Sequence, residues 1–338
     1  VTKSTVPVGT CRRLQQLFTK LRPDLKVEVA SNPEFLREGS AIEDFIRPDR
    51  VVVGVEGERA RQVLDRIYRP LNLIQTPILF TTLETAELIK YATNSFLATK
   101  VTFINEMADL CERVGADVQV LAKGLGSDRR IGTKFLHPGP GFGGSCFPKD
   151  TTALLRIAEE ASVPLRIVES VVAVNEGRKR NMVRRIIQAC GGSARGLTIA
   201  VLGVTFKPNT DDIRDSPSLV IVPALQAEGA DVRAFDPEGM ETGAAELPGV
   251  TWCEDAYQAM EGADAVVVLT EWNVFRALDL ERAKALLRRP ILIDLRNIYE
   301  PAEMVTAGFS YSSIGRPILQ SDHQRQGGPV ADVEREAV

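Results

Sequence analysis

The sequence predicts an α/β fold: two α/β units separated by a long helical region. Three observations carry this. Residues 27–81 alternate short β-branched runs with helical stretches, residues 83–114 run on without a Gly or Pro, and apolar runs alternate with helical stretches again from Gly196. Strands alternating with helices imply helices layered on a parallel sheet.

Taken in order, Val1 to Gly9 read as the exit of a strand into a helix. That is mid-domain sequence, so the chain reads as a fragment lacking an N-terminal portion. Val-Glu-Val-Ala at 27–30 reads as a strand that stops at Ser31-Asn32-Pro33, where Asn before Pro favours a turn. The segment from Glu34 reads as helical. Residues 50–55 form a β-branched strand, 56–69 an amphipathic helix and 77–81 a further strand. In 83–114, Leu88, Ala92, Phe96, Val101 and Ile104 recur at helical spacing. A second helical stretch covers 150–188, broken near Pro164. Strands follow at 197–202, 231–235, 263–269 and 290–295, with a helix at 218–227. The polar tail from Gln320 reads as disordered.

Composition narrows the function. The chain has 338 residues, 44% hydrophobic and 25% charged, with a formal net charge of -4. That balance gives no electrostatic reason for a nucleic-acid or membrane partner. The five cysteines are far apart and never in a C-x-x-C spacing, and only two histidines exist. These spacings do not favour a disulfide framework or zinc site, a histidine-rich metal site is excluded, and a reduced, cytoplasmic protein is the simplest reading.

The richest stretch is Gly141-Phe142-Gly143-Gly144-Ser145-Cys146-Phe147-Pro148-Lys149-Asp150. Glycines let backbone approach a ligand closely, and a nearby cation activates a thiol. Cys146 therefore reads either as a poised nucleophile or as an inert structural thiol. Cys11, Cys111, Cys190 and Cys253 lack such surroundings and are read as structural. If the segment from Glu34 is helical, Glu34 and Glu38 share one face at i and i+4, as ligand-binding carboxylates or as solvated charge. Lys90 and Asn94 share the same spacing. They could polarise an oxygen, although a surface lysine and a helical amide are the better reading of that pair alone. Gly203 to Pro208 follows a strand, and Lys207 and Arg214 could serve a phosphate; a bare turn is the alternative. Arg296, in Asp294-Leu295-Arg296, is either another phosphate ligand or half of a strand-end salt bridge. The basic run Arg178-Lys179-Arg180 with Arg184-Arg185 reads as a solvated face.

Together these residues resemble the nucleotide-sugar dehydrogenase family. Five blocks match in family order: Ser4 to Thr10, Asn32 to Gly39, Glu87 to Asn94, Gly141 to Asp150, and Gly203 to Pro217. The resemblance implies a remnant of an N-terminal Rossmann domain (1–82), a central long-helix dimerisation region with the cysteine loop (83–190), a C-terminal Rossmann-like domain for the UDP-sugar (195–318) and a disordered tail (319–338). It implies oxidation of the C6 hydroxyl of a nucleotide sugar to a carboxylate with two NAD and one water, in a homodimer. UDP-glucose is the preferred substrate over GDP-mannose, UDP-N-acetylmannosamine and UDP-N-acetylglucosamine. A non-catalytic nucleotide-sugar-binding fragment is the alternative of another class.

The resemblance also assigns roles. Cys146 is the nucleophile, Lys90 and Asn94 stabilise the oxyanion, Asp150 and Thr5 hold a water, and Glu38 assists hydrolysis. Thr5, Glu38, Lys149 and Arg214 touch NAD. Glu34, Phe135, Leu136, His137, Pro138, Gly139, Gly143, Lys207 and Arg296 join Lys90 and Asn94 around the substrate, and Arg130 reaches a partner subunit's site. The family's G-x-G-x-x-G turn is not in this chain, so the chain as given is expected to bind NAD weakly.

Overall fold

A computed structural model describes residues 1–74 and 76–317. The expected disordered tail, 319–338, lies outside the described residues. In chain order the first part holds α1 (Thr10–Leu21), α2 (Ala41–Ile46), β1 (Val51–Gly54), α3 (Glu58–Tyr68), a 3-10 turn at Arg69–Ile74 and β2 (Ile78–Thr81). The helices α4 (Leu83–Val114), α5 (Val118–Ser127), α6 (Phe147–Glu160) and α7 (Arg166–Ala189) follow. The last part holds β3 (Thr198–Leu202), α8 (Ser218–Ala227), β4 (Asp231–Phe235), α9 (Met240–Glu246), β5 (Thr251–Trp252) and α10 (Ala256–Met260). It continues with β6 (Ala265–Val268), α11 (Asn273–Arg276), α12 (Leu280–Leu286), β7 (Ile291–Asp294), α13 (Pro301–Thr306) and β8 (Ser310–Ser313). Among the described residues, no helix is long and apolar enough to cross a membrane.

The chain packs as two compact units, each assembled from separate segments. One comprises 1–103, 141–179 and 205–217; the other comprises 104–140, 180–204 and 218 onward.

In the first unit β1 and β2 pair in parallel, from Val51 opposite Ile78 to Gly54 opposite Thr81. The expected strand at 27–30 is not one. Only Ser31 makes isolated bridges, to Thr2 and to Gly54, so the run is held by a few backbone bonds. The expected helix from Glu34 is also absent, and the first helical residue is Ala41. Pro33 and Gly39 bound the segment. Within it the Leu36 N–H donates to Glu34 Oε2 at 2.6 Å, a local bond that competes with helix formation. Glu34 and Glu38 therefore do not share a helix face. The 32-residue α4 matches the stretch free of Gly and Pro.

The second unit is built on a six-stranded sheet in the order β5-β4-β3-β6-β7-β8, parallel at every pairing. This is the doubly wound order, in which ligands bind beyond the carboxyl ends of the strands where the order reverses, here between β3 and β6. Every residue of β6 and β7 is buried, as a sheet covered on both faces demands. Val266, Val268 and Leu292 pack with Phe275, Met260 and Tyr311 in an apolar cluster.

Candidate active site

The first unit gathers most of the expected site residues. Lys90 and Asn94 lie one turn apart on α4 and are 3% and 6% exposed. The expectation of a surface pair is thus overturned: this face of α4 packs inward. Lys90 Nζ donates to Glu34 Oε1 at 3.3 Å and lies 5.3 Å from the Phe35 ring. Asn94 Nδ2 donates to Asp150 Oδ2 at 2.6 Å. Asp150 is buried, and its Oδ1 has no hydrogen bond, only an ion pair with Lys149 Nζ at 3.5 Å.

Cys146 holds the N-cap position of α6. The Asp150 N–H donates to the Cys146 carbonyl at 2.9 Å, which sets Asp150 one turn along the same helix. Unpaired N–H groups at a helix start favour negative charge nearby. Cys146 is half-buried, whereas Cys11, Cys111, Cys190 and Cys253 are buried, and burial pushes those four thiols up.

Two glycines make the loop before Cys146 possible. A Cβ on Gly143 would stand 2.3 Å from the Asp215 carbonyl oxygen. Gly144 has φ 80, and a Cβ there would meet the Phe206 ring at 2.7 Å. The Gly144 N–H donates to the Arg214 carbonyl at 2.8 Å, so the cysteine loop lies directly against 205–217. From α7, Asn175 brackets Phe142, accepting from its N–H at 2.8 Å and donating to its carbonyl at 3.1 Å. Lys179 donates to Glu176 and to the Asp215 carbonyl. The expectation that Arg178 and Lys179 form a solvated face fails here: both are buried, while Arg180 and Arg184 are exposed.

The segment carrying Glu38 meets the same loop. Lys207 Nζ donates to the Glu38 carbonyl at 2.8 Å. Arg214 Nη2 donates to Glu38 Oε1 at 3.3 Å and to Asp212 Oδ2 at 2.7 Å. Burial, and then the Asp212 carboxylate, push Glu38 up. Burial pushes Lys207 down, against the attraction of Glu38 and Cys146. Arg214 also feels Cys146, so the cations in electrostatic reach of this sulfur include Lys207 and Arg214. Lys149, by contrast, leaves its side chain 61% exposed.

Thr5 stands half-buried in the loop that enters α1. That helix has no side-chain cap of its own at Gly9. Instead Glu87, on α4, accepts from the Gly9 N–H at 2.6 Å and the Cys11 N–H at 2.8 Å.

In the second unit Gly139 and Arg296 come together. Arg296 Nη1 would be 3.3 Å from a Cβ on Gly139, and the Gly139 N–H donates to Asn105 Oδ1 at 2.8 Å. Arg296 Nε donates to the Leu269 carbonyl at 2.6 Å and pairs with Glu271 at 3.1 Å. It therefore sits at the carboxyl edge of the sheet, beside the β3/β6 reversal. Leu136 and Pro138 are buried, His137 is exposed and Phe135 adopts φ 64. Arg130 is exposed and paired with its neighbour Asp128 at 2.6 Å.

A half-buried thiol, an ammonium, an amide and a carboxylate with an open acceptor are the parts needed to capture a carbonyl covalently and hold the resulting oxyanion. Sequence reasoning overlooked Asp212, Glu87, Asn175 and Lys179. Asp212 carries a signal only as half of an ordinary ion pair, since Asp-x-Arg places a carboxylate two residues before a cation. Glu87 and Asn175 carry no local signal, because their partners lie 76 and 33 residues away.

Comparison with known proteins points to one family over most of the chain. Residues 1–72 match the NAD binding domain of the UDP-glucose/GDP-mannose dehydrogenase family, 84–177 its central domain and 200–301 its UDP binding domain. A UDP-glucose 6-dehydrogenase of Rhizobium meliloti is 59% identical over 319 residues, covering 94% of this chain and 73% of that protein. One from Bacillus subtilis is 46% identical, covering 99% and 73%. The solved UDP-glucose dehydrogenase of the archaeon Pyrobaculum islandicum superimposes with a TM-score of 0.82 at 38% identity, covering 92% of this chain and 69% of that one.

Proposed function

This chain belongs to the UDP-glucose/GDP-mannose dehydrogenase family, and we propose that it oxidises UDP-glucose to UDP-glucuronate with NAD, through a thioester on Cys146. The observation that carries this is the linked set Cys146, Asp150 and Asn94, with Lys90 one turn before Asn94 on α4. The donor chemistry fits the dinucleotide. Thr5 offers a hydroxyl, Glu38 a carboxyl with one oxygen unengaged, and the exposed side chains of Lys149 and Arg214 offer cations. When bound, NAD accepts a hydride from C6 in each of the two oxidations.

The chain's own residues supply the rest. Lys90 and Asn94 hold the negative oxygen that develops at C6, each such donor contributing ~10²–10³ in rate. Asp150 and Thr5 hold the water that carries the hydroxyl proton away. Cys146 Sγ adds to the aldehyde carbon, giving a thiohemiacetal that cannot diffuse off, and the second oxidation leaves a thioester. Water then attacks the thioester carbon with help from Glu38. The C–S bond breaks, the thiol regains a proton and the C6 carboxylate leaves. Glu34 and Lys207 line the sugar side. Gly143 and the stretch Phe135, Leu136, His137, Pro138 and Gly139 cover the nucleotide sugar, Arg296 takes the diphosphate and Arg130 serves a partner subunit.

In the full-length protein, UDP-glucose should give two NADH per UDP-glucuronate, ahead of GDP-mannose and UDP-N-acetylmannosamine in the same assay. Cys146→Ser should form no acid. Equal turnover with GDP-mannose would defeat the substrate assignment, and unchanged turnover in Cys146→Ser the thioester.

The assembly is a homodimer in the cytoplasm, where NAD is drawn on and the five free cysteines stay reduced. Leu88, Phe96 and Phe103 are exposed along one face of α4, Phe96 by 66%, and a second copy would cover them. Phe96→Glu should convert the dimer seen by light scattering to a monomer; an unchanged mass rejects this face.

A further inference from the structure

Glu38 enters the proposed reaction as the residue assisting hydrolysis, and its surroundings show what sets its proton. The Arg214 guanidinium lies against two carboxyls at once. It binds both oxygens of Asp212, Nε to Oδ1 at 2.9 Å and Nη2 to Oδ2 at 2.7 Å, and the Arg214 N–H adds a third bond at 2.9 Å. The same Nη2 reaches only Oε1 of Glu38, at 3.3 Å. The other oxygen, Oε2, is buried with no donor. Backbone fixes the pair further: the Asp212 N–H donates to Thr210 Oγ1 at 3.1 Å.

We propose that Asp212 is a positioning residue that, clamped by Arg214, keeps a proton on Glu38. The inference rests on the proposed reaction only for its consequence, that Glu38 meets the thioester as an acid. Both carboxyls crowd the one Arg214 Nη2, and a buried Glu38 Oε2 with no donor is costly when charged, so the pair is eased by one proton. Asp212 has both oxygens committed to a cation and its side chain is only 7% exposed; Glu38 has one oxygen free. The proton therefore belongs on Glu38. The shifts agree in direction. Glu38 is raised by burial and then by Asp212. In Asp212, burial is outweighed by the Arg214 bonds and the group is lowered.

Other charges facing the pair are accounted for. Lys207 binds the Glu38 carbonyl rather than its carboxyl, and its charge, with that of Arg214, pulls Glu38 down without reversing the rise. Arg37 is engaged by Asp44 at 2.6 Å. Cys146 acts on Lys207 and Arg214. In the hydrolytic step the Glu38 proton would pass to the departing Cys146 sulfur as the C–S bond breaks. The attacking water forms the C–O bond and gives a proton back to Glu38, so no other reactant is needed.

The test reads the proton directly, without substrate. The full-length protein labelled with ¹³C at glutamate carboxyls is titrated by NMR, with Glu38→Gln identifying the resonance. Glu38 should titrate above the ordinary glutamate value of ~4.3. Asp212→Asn should bring it down by about 1 pH unit or more, and Asp212→Glu should restore it. In turnover, the alkaline limb of kcat should move to lower pH in Asp212→Asn and back in Asp212→Glu. A Glu38 titration that stays in place in Asp212→Asn overturns the proposal. If Asp212→Asn does not fold, Asp212→Ser, which likewise removes the neighbouring negative charge, must also lower Glu38, and no movement there overturns it equally. Wild-type protein that makes no acid from UDP-glucose would sink the reaction assignment while leaving the titration result intact.

Discussion

Each unit buries an aspartate, and the two are treated in opposite ways. Asp294, at the end of β7, is fully buried and fully engaged. It accepts from the Tyr311 hydroxyl at 2.8 Å, the Arg296 N–H at 3.0 Å and the Tyr299 N–H at 3.1 Å. Arg316 closes the network from the far side, on the Tyr311 oxygen and the Tyr299 carbonyl. Asp150 is equally inaccessible, yet one oxygen has a single amide donor and the other has no hydrogen bond. Buried polar groups in folded proteins are generally satisfied, and the open oxygen of Asp150 suits the proposed role of holding a water, whereas the completed network of Asp294 suits a sheet edge.

The contrast breaks most decisively at the unfinished aspartate. Asp150→Asn should keep the bond to Asn94 after an amide flip and preserve the fold. It should still lower kcat by ~10²–10⁴-fold, the range for losing a proton-transfer group. Steady-state NADH kinetics beside a thermal melt decide this; a large stability loss with normal kcat per folded molecule would make Asp150 another Asp294.

The smaller effect lies at the finished one. Tyr311→Phe should leave kcat unchanged and cost about 1–3 kcal/mol, the usual price of stranding a buried acceptor. Its pH dependence has a defined sign. Burial raises Asp294 against the bonds from Tyr311, Arg296 and Tyr299. A raised carboxyl contributes stability that is complete below the unfolded value of ~3.9 and is lost as pH rises through the folded value. Removing the hydroxyl withdraws a donor from the charged form, so the deficit of Tyr311→Phe should widen from acid toward neutral pH. Urea unfolding across that range checks it, and a constant deficit contradicts it.

The elements were largely legible in the sequence because they rest on local signals. An uninterrupted 32-residue run gave α4 its bounds, and β-branched runs gave β1, β3, β4, β6 and β7. Misreadings arose where distant partners decide. Asn32 is fixed by Val52 and Lys3, and Glu34 by its own backbone and Lys90. Between them they keep 32–38 out of the helix its sequence suggests. Lys179 looked solvated because charge usually is; its neighbours Glu176 and the Asp215 carbonyl become visible only in three dimensions. The candidate site was legible as residue types and motif order, and its proton-setting partner Asp212 was not, because a carboxylate beside an arginine reads as an ordinary ion pair.

The cap on α1 carries a consequence for how the chain comes off the ribosome. Glu87 lies 78 residues downstream of the Gly9 N–H it satisfies. Until the first turns of α4 have been synthesised, the opening of α1 has only water for its free N–H groups. The loop bearing Thr5 can therefore settle only after translation has passed Glu87. Domains generally fold as units during synthesis, and here α1 waits on a later helix, so a pause or truncation just short of residue 87 would release a chain whose α1 lacks the Glu87 cap.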